Sequence, residues 1–121
     1  MKLTDLDAFI AAYKGCALWS TLDWSDDGID QYMEDVHMKW ADSAEKEIKE
    51  DCTAFVEANI EMLEKWTPEN AGHSFFLSRN GHGAGFFDYP DMHGNKLHKA
   101  AKVYGTSAPF LVDDGLTYLH H

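Results

Sequence analysis

Leu6, Phe9, Ile10, Tyr13, Cys16 and Ala17 recur at the three- and four-residue spacing of a single helix face. This pattern predicts a helix over residues 4–20, capped by Thr4 with Asp7 as its capping-box partner. The polar, acidic stretch from Asp23 to Asp30 reads as a loop. Ile29, Met33, Val36 and Trp40 then fit a short helix. The longest amphipathic run covers residues 43–66. Ala44, Ile48, Cys52, Phe55, Val56, Met62, Leu63 and Trp66 form one broad apolar face there. Glu47, Glu50, Glu57, Glu61 and Glu64 stand on the opposite side. Thr67-Pro68 is expected to end this helix.

Beyond residue 70 the pattern changes. Ser74–Arg79 and His82–Tyr89 are rich in phenylalanine and flank Asn80-Gly81, a strong signal for a two-residue hairpin turn. That register sets Arg79 opposite His82 and Phe76 opposite Gly85, and Pro90 closes the second strand. A helix is expected from about Lys96 to Tyr104, capped by Asn95 and stopped by Gly105. Pro109–Val112 and Leu116–Leu119, joined through Asp113-Asp114-Gly115, predict a second hairpin. The fold class expected is α+β: two to three N-terminal helices on a small antiparallel sheet of two hairpins, with one intervening helix. Residues 1–121 are expected to form one domain, with an acidic helical part over about 1–70 and a β-rich part over about 71–121.

Charge sharpens this division. Residues 1–70 hold 17 Asp/Glu against 6 Lys, a net of −11, whereas 71–121 hold 4 acids against 3 Lys and Arg79, a net of 0. Such a surface repels nucleic acid and anionic lipid and attracts basic protein surfaces. DNA mimicry is a further reading that asks for more than the stripe from Glu47 to Glu64 supplies, and would need Asp23, Asp26, Asp27, Asp30, Glu34 and Asp35 added in the right places. Five charges over about 25 Å of helix are several-fold sparser than the duplex charge of one per ~1.7 Å. Charges in MKLTDLDAF, and the lack of any long apolar run, lead to an expectation of a cytoplasmic protein with no membrane association. Cys16 and Cys52 lie on apolar helix faces and read as free core thiols.

The segment from Gly72 to Tyr89 holds four of the nine glycines, four of the seven phenylalanines and the only arginine. Gly81-His82-Gly83-Ala84-Gly85 lacks both the following helix and the Lys-Ser/Thr of a phosphate loop, so a nucleotide fingerprint is rejected. At a hairpin tip, Arg79, Asn80 and His82 would form a polar clamp for an anionic group, with Asp88 nearby. The competing structural reading pairs Arg79 with an acid of its own chain, such as Asp88. His73, His82, Asp88, Asp91, His93 and His98 are metal-capable types, but no cysteine pair or HExxH completes a set, and no cofactor or metal is expected. Ser74 or Ser78 with His82 and Asp88 supplies residue types for acyl transfer without a nucleophile elbow.

Leu77-Ser78-Arg79-Asn80-Gly81-His82-Gly83-Ala84-Gly85-Phe86-Phe87-Asp88 closely resembles a segment that recurs, as L-x-R-N-G-H-G-A-G-F-W/F-D, in small acidic proteins of phages and prophages. Cys16-Ala17-Leu18-Trp19-Ser20 and Val112-Asp113-Asp114-Gly115 are also similar, and Phe87 stands where tryptophan is frequent. The resemblance implies an accessory protein made in an infected bacterium and supplies no activity.

The expectation is therefore binding rather than catalysis, with a basic host protein as partner. That partner would be a nucleic-acid enzyme or a defence component. Binding would run through Glu47, Glu50, Glu57, Glu61 and Glu64 together with Arg79, Asn80, His82 and Asp88. The alternative is a small-molecule or anion-binding protein, or a hydrolase, using Arg79, His82 and Asp88 in a pocket. A second copy of the chain is a third candidate partner, through Phe76 and Phe87 on an exposed sheet face.

Overall fold

The computed structural model describes residues 1–20, 22–23, 31–32, 39–111 and 116–121. Four α-helices appear among them: α1 (Leu6–Ser20), α2 (Asp42–Asn59), α3 (Pro68–Asn80) and α4 (Gly94–Lys102). The strands are β1 (Leu22–Asp23), β2 (Gln31–Tyr32), β3 (Lys39–Trp40), β4 (Ala108–Leu111) and β5 (Leu116–His120). The fold is α+β, as expected. None of the described helices is long and apolar enough to cross a membrane.

The first helix forms as its spacing predicts, with a different start. A 3-10 turn over Leu3–Asp5 precedes α1, and the Asp5 carboxylate accepts from the Lys2 amide at 2.8 Å. Thr4 is not the cap. The long acidic helix ends earlier than expected, at Asn59, and residues 60–66 run on as turns. Most of the short helix expected over Ile29 to Trp40 lies outside the described residues. Its described parts, Gln31–Tyr32 and Lys39–Trp40, are strand.

The largest correction concerns residues 67–89. No hairpin forms there. Thr67-Pro68 starts a helix instead of only ending one: Thr67 Oγ1 accepts from the Asn70 amide at 3.1 Å, and Pro68 takes the first position, where a missing N–H costs nothing. Ala71, Phe75 and Ser78, with Gly72, Phe76 and Arg79 beside them, form a stripe of helical period facing inward. Gly81 ends the helix in the left-handed conformation, φ 68°. The amides of Gly81 and His82 return to the carbonyls of Ser78 (3.3 Å) and Leu77 (3.1 Å), which is a Schellman closure. A turn over Phe86–Asp88 and another over Pro90–Met92 lead into α4. That helix begins at Gly94 after His93, so Asn95 is not its cap, whereas Gly105 does adopt positive φ just past its end.

The second expected strand pair is present. β4 and β5 run antiparallel, with Pro109 opposite Leu119 and Phe110 opposite Tyr118. The link through 112–115 lies outside the described residues. β3 adds to the other side of β5 in parallel, so the sheet is mixed, in the order β3-β5-β4. Its third strand comes from the stretch read as helix.

The core lies between the helices. Phe55 of α2 stacks on Phe75 of α3 at 4.2 Å, with Phe9 and Tyr13 of α1, Phe86 and Trp66 packed around the pair. Among the described elements, α1 and α3 make the most extensive contact. Their closest approach is at Gly72, where a Cβ would sit 2.4 Å from the Phe9 carbonyl oxygen and 3.0 Å from the Tyr13 amide. Backbone atoms on both sides leave no cheap relaxation. Gly72→Ala should therefore destabilise the fold by about 1–3 kcal/mol despite the better helix propensity of alanine. Urea unfolding checks this, and a hairpin at these positions would tolerate the change.

Candidate functional site

Arg79 leaves the last turn of α3 and points inward, not toward solvent. It is 3% exposed. Its Nε donates to the Gly105 carbonyl (2.8 Å) and Nη2 to the Tyr104 carbonyl (3.0 Å), just past α4. Nη1 donates to Asp51 Oδ2 of α2 (2.9 Å) and to the Tyr13 hydroxyl of α1 (3.3 Å). The rings of Phe75 and Tyr104 lie 5.5 and 5.7 Å from the guanidinium carbon. The acid of its own chain is Asp51, one turn from Ile48 and Phe55 on the apolar side of α2, not Asp88. Burial pushes the Tyr13 phenol well above its ordinary pKa, with Arg79 opposing, so the group that meets the guanidinium is a neutral hydroxyl.

The neighbours of Arg79 in the motif also have internal roles. Asn80 Nδ2 donates to the Phe76 carbonyl (2.9 Å) and its Oδ1 accepts from the Ser107 amide (2.7 Å), tying the end of α3 to the approach to β4. His82 is exposed and stacks on Phe76 at 5.6 Å. Asp88 Oδ2 accepts from the Gly85 amide at 3.0 Å. Gly85 has φ 140°, and a Cβ there would fall 2.3 Å from Ser78 Oγ, so this position requires glycine on both counts. Phe76 is buried against Tyr13, and Phe87 packs edge-on against His98 at 4.9 Å; neither lies on a sheet face.

Ser78 has a histidine partner that the sequence reading missed. His98 Nδ1 of α4 lies 3.0 Å from Ser78 Oγ, which also accepts from the Phe86 amide at 3.0 Å. The pair resembles a nucleophilic dyad, but Ser78 has no exposure, so no substrate reaches its hydroxyl. Burial, reinforced by Lys102, holds His98 below its ordinary pKa. The Cys52 thiol is pushed up by burial, and that of Cys16 up to about 11, so both remain protonated core thiols at neutral pH. Among the described residues no group of three or more His, Cys, Asp or Glu is placed to hold a metal.

Of the acidic candidates, Glu50, Glu57, Glu61 and Glu64 are exposed, and none makes an ion pair among the described residues. Glu47 is half-buried and meets His121 at 2.9 Å. Three adjoining concavities, of about 460, 210 and 70 Å³, surround the turn after α2, and Glu61 borders each of them. Arg79, His82 and Asp88 line none of the three. In comparisons with family models, curated proteins and solved structures, nothing matches this chain.

Two outcomes follow from the internal network. Arg79→Ala should cost about 3–5 kcal/mol in urea unfolding, since it strands Asp51 and two carbonyls together. Arg79→Lys should recover only part of this, because an ammonium cannot replace the planar fork. The depressed pKa of His98 contributes stability that is fully present above pH 6.5 and is lost as pH falls through the lower folded value. In His98→Gln, the acid-side decline in melting temperature should be shallower than in the parent.

Proposed function

We propose that this chain is a non-enzymatic accessory protein of phage type, acting in the host cytoplasm by docking onto a host protein with a basic surface. The single observation that carries the reading is the row of exposed carboxylates at Glu50, Glu57, Glu61 and Glu64, which make no ion pair among the described residues and lie on the half of the chain that holds all of its excess charge. Unpaired surface charge of one sign steers association with the opposite sign and repels nucleic acid and anionic lipid. The resemblance of residues 77–88 to a phage-protein segment supplies the setting. The anion-clamp reading draws no support from Arg79, whose donors are held inside the fold. With Arg79 held inside the fold, docking runs through the exposed carboxylates from Glu50 to Glu64.

Affinity capture from a bacterial lysate, repeated across salt, tests this. One basic protein should be recovered at about 50 mM salt and lost near 500 mM. Glu50→Lys with Glu57→Lys, two exposed changes on one stripe of α2, should reduce its recovery about tenfold or more while the melting temperature stays unchanged. Recovery that ignores both salt and charge reversal contradicts the reading.

A further inference from the structure

The turn after α2 is covered on one side by the first residues of the chain. The amino group of Met1 donates to the carbonyls of Leu63 (2.7 Å), Glu64 (3.0 Å) and Trp66 (2.7 Å), which holds residues 1–3 against 60–66. Between them lies a shallow, mostly apolar trough of about 460 Å³ lined by Met1, Leu3 and Ile60 together with Lys2, Glu61 and Glu64. Leu3 is 52% exposed there, a large apolar side chain left to water. The neighbouring hollows add Met62 and Met92 on the same side of the molecule.

We infer that this trough is the docking groove for an amphipathic helix of a basic protein, seating an apolar anchor on Leu3, Ile60 and Met1 between flanking lysine or arginine side chains. The inference deepens the docking reading above and rests on it. The apolar floor supplies the site, and the carboxylates select the occupant. Exposed apolar surface rimmed by acids fits a helix carrying leucine-type anchors with cations beside them. Methionine suits such a floor, because its unbranched, polarisable side chain repacks around different anchors. A strand is a poorer occupant: the carbonyls of Leu63, Glu64 and Trp66 are already taken by Met1. Nucleic acid is repelled by Glu57, Glu61, Glu64 and Asp91 around the three hollows, which outnumber Lys2, Lys65 and the Met1 ammonium. A second copy offers the basic helix α4, but the apolar residues of that helix, Leu97 and Ala101, are buried in its own core.

The probe is a leucine–lysine amphipathic peptide of about 14 residues, four helical turns. Its controls are a scrambled isomer and the same helix with glutamate for lysine. Titration into the protein, followed by methyl NMR, should shift Met1, Leu3, Ile60 and Met62, with the scrambled and acidic peptides binding at least tenfold more weakly. Leu3→Gln, at an exposed position that keeps the charge, should weaken binding about tenfold and preserve its salt dependence. Glu61→Lys with Glu64→Lys should weaken it at least as much and flatten the salt dependence. Equal binding of the scrambled peptide, or shifts confined to methyls elsewhere, would overturn the groove. So would peptide-resistant self-association that these variants abolish. Sensitivity to Glu61 and Glu64 without sensitivity to Leu3 sinks the groove and leaves acidic docking standing; insensitivity to both sinks the two together.

Discussion

Arg79 carries its charge beneath Phe75 and Tyr104, with four acceptors arranged around its planar head. A guanidinium taken out of water is tolerable only when its donors are met simultaneously, because each unmet donor in a weakly polarisable interior costs more than a surface hydrogen bond returns. Here the partners come from α1 (Tyr13), α2 (Asp51) and the segment leaving α4 (Tyr104 and Gly105), while the arginine itself belongs to α3. One side chain therefore fixes the mutual placement of four helices. The aromatic stack of Phe55 and Phe75 adds apolar burial beside it, but dispersion and hydrophobic forces have no direction. The directional information at this crossing lies in the fork geometry of the guanidinium.

The glycine-rich motif acquires its meaning from that constraint. With Arg79 pointing inward from the final turn of α3, the chain must stop abruptly and double back. Gly81 provides the left-handed closure, and Gly85 lets the returning backbone lie against Ser78. Asp88 then secures the Gly85 amide, Ser78 receives the Phe86 amide, and Asn80 reaches across to Ser107. Ser78, Arg79, Asn80 and Asp88 of the motif all hydrogen-bond within their own chain. An unusual segment in this protein thus encodes how a helix ends and turns.

How much of this could be read from residues alone depended on how ambiguous each local signal was. The periodicity of Leu6 to Ala17 and of Ala44 to Val56 has one reading, and both helices form. Pro109 to Leu111 and Leu116 to Leu119 pair as expected. Asn80-Gly81 has two readings, because a type I′ hairpin and a helix C-terminus both require positive φ at the glycine. The signal that separates them lies upstream. Thr67-Pro68-Glu69 is a helix start, and its distance to Gly81 frames a helix, but Phe75-Phe76 and Phe86-Phe87 drew the strand interpretation. The parallel addition of β3 left no trace because two residues are too few to carry a period. Asp51 as the partner of Arg79, and His98 as the partner of Ser78, are meetings of distant segments that no local spacing announces. The acidic residues, by contrast, were legible as surface, since four of the five candidate glutamates are exposed.

The chain contains one arginine, so a ¹⁵N spectrum contains one arginine Nε–H signal, and that signal reports directly on whether the guanidinium is structural or available to a partner. Held by the Gly105 carbonyl at 2.8 Å inside the fold, it should exchange with water only through large-scale opening and should stay in place when a basic partner or peptide is added. An Nε–H that exchanges as fast as free arginine, or moves strongly on partner binding, would contradict the assignment of this residue to the scaffold.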